Sequence, residues 1–239
     1  MGPAPSPAAS LVEIMKETDS AMMAVAPCSN TDKFFAESMI PHHQGAIKMA
    51  QWELQNGKNP QLLNTSHSIM TSQTQEIAEM QQYLAQLPIR ADCASAPAPS
   101  PSTPGMGVMT MSSMNMPMMS NGMAGMSSRM TMGMSKSPLA SAMTPSGMQE
   151  SAMLSTMDAM MAPSAAPLSG NPDHDFAIMM SQHHQAAIDM ANVELKYGTF
   201  QPLLILAKQI IAAQSEEIQE FCIILAQDYA TPCTAAGIK

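Results

Sequence analysis

Residues 35–77 recur at residues 176–218 with a constant offset of 141 and no gap. Phe35 matches Phe176, His42-His43 match His183-His184, Met49-Ala50 match Met190-Ala191, and Glu53-Leu54 match Glu194-Leu195. Gly57 matches Gly198, Leu62-Leu63 match Leu203-Leu204, Gln73 matches Gln214, and Glu76-Ile77 match Glu217-Ile218. An ungapped internal repeat means two copies of one supersecondary unit, so the two halves are expected to share a fold.

Each copy reads as a helical hairpin. In the first, Thr31 or Asp32 caps a helix running to Asn56-Gly57, where a left-handed stop is expected. Asn59-Pro60 then supplies a cap and a first-turn proline for a helix reaching about Leu87, ahead of Pro88. In the second, Asn171-Pro172 opens a helix ending at Tyr197-Gly198, and its partner runs from Pro202 to about Tyr229. Leu62, Ile69, Ile77, Met80 and Leu84 form one apolar stripe, and Leu203, Ile210, Ile218, Phe221 and Leu225 another. Amphipathic stretches at Leu11–Ala26 and Gln149–Ala162 predict one extra helix per half. Pro41 lacks a backbone donor, so a local kink is expected just before His42.

A hairpin cannot bury its own stripe, but two antiparallel hairpins bury each other's. The expected fold is all-α, a four-helix bundle built from two repeated helical hairpins with a long methionine-rich crossover. The chain divides into a first repeat at 11–92, a linker at 95–147 and a second repeat at 149–230. Two separate small bundles are the alternative, marginal at that size without disulfides. The linker is rich in Ser, Pro, Gly, Met and Ala, lacks periodicity, and is expected to be mobile without a ligand.

Aromatics at 4% suit close-packed helices better than a β-sandwich. A net charge of −9 argues against nucleic acid as a partner, since such surfaces need clustered Lys and Arg. No apolar run is long enough for a membrane span. The opening MGPAPSPAAS has neither a basic region nor an apolar core, so it reads as a mature N-terminus without a signal peptide. Cys28, Cys93, Cys222 and Cys233 show no CxxC spacing and fit disulfides in an oxidising compartment, periplasmic or secreted. The preferred pairing of the three possible is Cys28–Cys93 with Cys222–Cys233.

Methionine fills 29 of 239 positions, with 18 of them between Gly105 and Ala162. Thioether sulfur and imidazole nitrogen are ligands that soft monovalent copper accepts. On a helix, Met39 and His43 lie four apart, and His42 and Met49 seven apart. The second copy repeats this as Met180–His184 and His183–Met190, and a third ligand is expected from Met80 or from Met22 and Met23. Neighbouring histidines point about 100° apart, so they are expected to flank the core centre rather than both face it. Any one methionine is more simply a core gap-filler. The paired histidines weigh against that, because they persist while Pro41/Gln182, Gly45/Ala186 and Lys48/Asp189 have diverged.

The linker offers Met109/Met111, Met114/Met116/Met118 and Met130/Met132/Met134, spacings that let one flexible strand wrap several sulfurs around one ion. Thioethers carry no proton, whereas imidazoles release metal near pH ~6.5. His67 and His174 have no repeat counterparts and read as ordinary solvated or satisfied histidines. Glu53, Glu76, Glu194 and Glu217 repeat, but read more easily as solvated helix-face charges than as inward ligands. Without Glu-x-x-His pairs, a di-iron carboxylate centre is a poor fit. No nucleophile–base set or phosphate loop is present, so the reading is non-enzymatic. Its rivals are a copper or iron oxidoreductase and an interaction module whose linker docks a partner.

These residues resemble the domain-of-unknown-function family 305, with a signature similar to Phe-…-Met-x-x-His-His-x-x-Ala-…-Met-Ala followed by Gln-x-x-Glu-Ile-x-x-Met. Phe35, Met39, His42, His43, Ala46, Met49, Ala50, Gln73, Glu76, Ile77 and Met80 fill it in the first copy. The second fills it with Phe176, Met180, His183, His184, Ala187, Met190, Ala191, Gln214, Glu217 and Ile218, and departs at Phe221 where the family expects methionine. The resemblance implies a ferritin-like bundle that binds Cu(I) outside the cytoplasm in copper tolerance. Cu(II) is a further candidate and Ag(I) a surrogate of similar softness. The ion would be sequestered or passed to a copper export system.

Overall fold

Three asparagines set where long helices begin. In the computed structural model, which describes residues 7–26, 28, 30–87, 151–152, 155 and 168–233, Asn30 opens α2 (Thr31–Asn56) by accepting the Lys33 N–H. Asn59 opens α3 (Pro60–Leu84) by accepting from Gln61 and Leu62, and Asn171 opens α4 (Pro172–Tyr197) by accepting from His174. Each satisfies backbone donors that a helix start leaves orphaned. The cap of α2 is thus Asn30, one residue before the expected Thr31 or Asp32. A fourth helix, α5 (Gln201–Tyr229), begins at Phe200 without a side-chain cap of its own. Ahead of these lies α1 (Pro7–Met23), where Leu11–Ala26 was expected. All five described helices leave the protein all-α among the described residues.

The left-handed stop expected at Asn56-Gly57 is not there. Gly57 and Gly198 follow α2 and α4 at φ −75° and −67°, conformations open to any residue. Glycine is required for room instead, because a Cβ at Gly57 would overlap the Glu53 carboxyl, and one at Gly198 that of Glu194. Helix α2 continues through Pro41, and α3 ends at Leu84 with turns on to Leu87.

Helices α2 and α3 form one hairpin and α4 and α5 the other, and α2 packs on α4 to join them. Helix α1 lies on α2, where Thr18 fills the notch over Gly45. Helices α3 and α5 touch only sparsely and leave an open seam. Each of the two core clusters draws side chains from both hairpins, so the halves form one body rather than two small bundles. The stripes behave largely as the periodicity predicts: Leu62, Ile69, Met80, Leu203, Ile210, Ile218, Phe221 and Leu225 are buried. Such a side chain contributes roughly 1.5–3 kcal/mol when fully buried.

Cys222 and Cys233 form the expected disulfide, clamping the chain after α5 back onto that helix. Cys28 is also disulfide-bonded, while Cys93 lies outside the described residues. The methionine-rich segment 95–147 also lies outside them, as does most of the expected helix at 149–162. No helix among the described residues is long and apolar enough to cross a membrane.

Candidate metal centre

The α2–α4 pair runs antiparallel, because the start of each helix is tied to the end of the other. Asp32 Oδ1 accepts the N–H groups of Thr199 and Phe200 at 2.8 and 2.7 Å, beyond the end of α4. Asp173 Oδ1 accepts those of Lys58 and Asn59 at 2.7 and 2.6 Å, beyond the end of α2. Each aspartate thereby ties down the turn of the opposite hairpin.

Beside each aspartate sits a fully buried glutamate. Both Glu53 carboxyl oxygens lack a donor partner among the described residues, as do those of Glu194. Burial first, then the neighbouring Asp173 carboxylate, pushes Glu53 up to about 8. Burial and then Asp32 push Glu194 up to about 9. A protonated glutamate donating to the aspartate resolves both observations, since two carboxylates cannot otherwise satisfy each other. These glutamates are therefore not the solvated charges expected from sequence.

Antiparallel packing brings the two histidine pairs together at mid-helix. His42, His43, His183 and His184 are all 0% exposed. His42 and His183 stack across the helix pair with ring centroids 3.7 Å apart and planes tilted by 38°. His43 and His184 diverge from these rings, at centroid distances of 6.1 and 6.3 Å, toward the second helix of their own hairpins. His43 Nε2 lies 2.8 Å from Glu76 Oε2 in a hydrogen bond. His184 Nε2 comes within 2.7 Å of Glu217 Oε2, but without the alignment that makes the first contact a hydrogen bond. The glutamates are 14% and 17% exposed, so these two also depart from the solvated role.

Both nitrogens of His42 and of His183, and Nδ1 of His43 and His184, are buried without a hydrogen-bond partner among the described residues. Each orphaned polar atom costs about 1–3 kcal/mol of desolvation, so a core that keeps several is built for something besides stability. Burial, then the neighbouring histidines, holds His42 and His183 well below the usual imidazole value. These two rings therefore stay neutral, with a lone pair free, at lower pH than the ~6.5 expected of an exposed histidine.

Buried methionines precede and follow each histidine pair on its own helix. Met39, Met80 and Met190 are 0% exposed and, with Met22 at 1%, belong to one core cluster. Met49 and Met180, also 0% exposed, belong to the other. The sequence pairs Met39 with His43 and His42 with Met49 along one helix. The fold places Met39 and Met190 in one core cluster and Met49 and Met180 in the other. Met23 is 55% exposed and stands apart from this set. Met109, Met111, Met114, Met116, Met118, Met130, Met132 and Met134 lie outside the described residues.

In the second copy Phe221 occupies the place of Met80, edge-on to Phe176 at 5.9 Å and against His184 at 5.9 Å. His67 is exposed, and His174 is buried but satisfied by Asp175 and by Thr231. Among the described residues, no three His, Cys, Asp or Glu side chains are placed to hold a metal ion. Sequence reasoning missed the corner roles of Asp32 and Asp173 and took the four repeating glutamates for solvated charges. Their signal was present, since all recur at the 141-residue offset.

A stretch of 53 residues is 40% identical to the uncharacterized protein L153 of Acanthamoeba polyphaga mimivirus, covering 22% of this chain and 35% of that protein. The chain thus matches only about a third of that relative's length. Solved structures of CopM in its Ag-bound and Cu(I)-bound forms are similar at 23% and 24% identity, each with a TM-score of 0.47. They cover 83% of this chain and 96% and 97% of their own. The family described as Domain of unknown function (DUF305) matches residues 2–84 and 94–225, and the chain belongs to it.

Proposed function

We propose that this protein binds monovalent copper, with Ag(I) as a competitor, and sequesters it or passes it on in copper tolerance. The observation that carries this reading is the buried layer of four imidazoles with orphaned nitrogens, flanked by fully buried thioethers. Neutral imidazole and thioether together suit a soft monovalent ion, whereas Mg(II) or Ca(II) would require oxygen donors. The donors are His42, His43, His183 and His184 with Met39, Met190 and Met80 on one side and Met49 and Met180 on the other. The long helices form a ferritin-like four-helix bundle, and residues 95–147 form its methionine-rich crossover, a collector that feeds the bundle. A disulfide between Cys222 and Cys233 supports an oxidising compartment, periplasmic or secreted. The ion is cargo, with no redox turnover required of the protein.

The test is an anaerobic Cu(I) titration against a colorimetric chelator, comparing the full chain with a His42/His43/His183/His184→Ala variant. Loss of the tightest sites with weaker capacity retained supports binding in the bundle and gathering in the linker. Identical binding by both proteins removes the histidines from the site.

A further inference from the structure

Glu76 sits at the boundary between solvent and the imidazole layer. Its carboxylate lines an open groove of ≈ 480 Å³ on the α3–α5 seam, with Ser72, Tyr83 and Leu206 among the walls. Glu217 lines a second groove on the same seam, beside Glu216 and Glu220. From the groove side, Glu76 reaches inward to His43 Nε2. The opposite nitrogen of that ring, Nδ1, is buried and unpartnered.

An ionised carboxylate can only accept, so the contact places the imidazole proton on Nε2 and leaves the lone pair on Nδ1. The two ring nitrogens point in nearly opposite directions. With Nε2 turned to the groove, Nδ1 faces away from it, into the bundle. We propose that Glu76 is a positioning residue that holds the His43 proton on Nε2 and commits Nδ1 as the nitrogen that meets the ion. This rests on the copper reading above and deepens it. A soft ion has little use for the carboxylate as a ligand, so Glu76 acts through the ring rather than on the metal. The second copy supplies an internal comparison. Glu217 comes as near to His184 Nε2 but without a hydrogen bond, so neither nitrogen of that ring is committed in this way.

The experiment is long-range proton–nitrogen NMR on the full chain carrying ¹⁵N-histidine, first metal-free and then titrated with Ag(I). The expected metal-free spectrum shows His43 protonated at Nε2. On adding Ag(I), His43 Nδ1 should shift while Nε2 keeps its proton. Glu76→Gln, whose amide oxygen still accepts, should preserve the tautomer. Glu76→Leu should lose it and weaken Ag(I) binding about 10–100-fold in chelator competition. If Glu76→Leu does not fold, the wild-type and Glu76→Gln spectra decide the matter alone. A metal-free His43 protonated at Nδ1, or an Nε2 that responds to Ag(I) in place of Nδ1, overturns the positioning role while leaving copper binding intact. If Ag(I) binds and none of the four imidazoles responds, the copper site in the bundle falls, and this inference with it.

Discussion

Where the first copy of the repeat places Met80, the second places Phe221, and the surroundings diverge from there. Around the first copy, Met22, Met39, Met80 and Met190 share one core cluster, and His43 is hydrogen-bonded to Glu76. Around the second, Phe221 forms an edge-on pair with Phe176 and leans on His184, whose contact with Glu217 is misaligned. An aromatic pair contributes about 0.5–1.5 kcal/mol beyond its buried area, but a phenyl ring donates no lone pair to copper. The comparison teaches that, on the copper reading proposed above, one unit, duplicated, is weighted toward ligation on one side and toward packing on the other. The corners joining the hairpins, by contrast, remained alike, each with its Asp–Glu pair and close-approach glycine.

The largest expected effect tests that likeness. A glutamate raised from 4.5 to about 8 or 9 binds its proton more tightly in the folded protein than in the unfolded one. Its stabilisation is whole below pH 4.5, erodes as pH rises, and is gone above about 8 for Glu53 and about 9 for Glu194. Each corner should contribute roughly 2–4 kcal/mol in this way. The melting temperature should therefore fall on the order of 10 °C between pH 5 and 9. Glu53→Gln/Glu194→Gln should flatten the profile, because an amide donates to aspartate at any pH. A wild-type profile already flat across that window would contradict shared protons at the corners. The single variants sharpen the comparison, since the Glu194 corner should hold to the higher pH.

Next in size are the corner glycines. Gly57→Ala and Gly198→Ala should each cost about 1–3 kcal/mol in urea denaturation, because the new Cβ meets a buried carboxyl. At an ordinary negative φ with free space, alanine would instead stabilise by about 0.4–1 kcal/mol. The sign of the change decides between the two accounts, and a difference between Gly57 and Gly198 would show unequal corners.

The smallest effect is the most direct test of the asymmetry between the copies. Phe221→Met should strengthen, and Met80→Phe weaken, the Cu(I) affinity of their respective sides by about tenfold, or about 1.4 kcal/mol. Competition with a chelator of known affinity reads this. No change from either substitution would leave Met80 a packing residue.

Much of the architecture was legible before any coordinates. Asn59-Pro60 and Asn171-Pro172 marked helix starts because capping is local chemistry, and the leucine–isoleucine stripes marked buried faces because helical periodicity is local geometry. The candidate ligands were legible through the repeat itself. The glycine stop at Asn56-Gly57 reads as left-handed in sequence because local statistics favour that conformation at helix ends, whereas the deciding contact here is the Glu53 carboxyl four residues upstream in the same helix. The glutamates were misread for a related reason. Their burial depends on neighbours more than a hundred residues away at the corners and on the opposite helix of the hairpin at the imidazole layer.

By itself, then, the sequence determined two like hairpins, their caps, their apolar stripes, and a store of imidazole and thioether donors placed at matching positions. The tertiary structure decided that the hairpins share one body and that α2 and α4 run antiparallel, with Met39 and Met190 in one core cluster and Met49 and Met180 in the other. It also decided which ring nitrogens are left without a partner. The division follows from range: propensity and capping act within a few residues, whereas a ligand set and a shared proton need groups distant in the chain to meet where water is excluded.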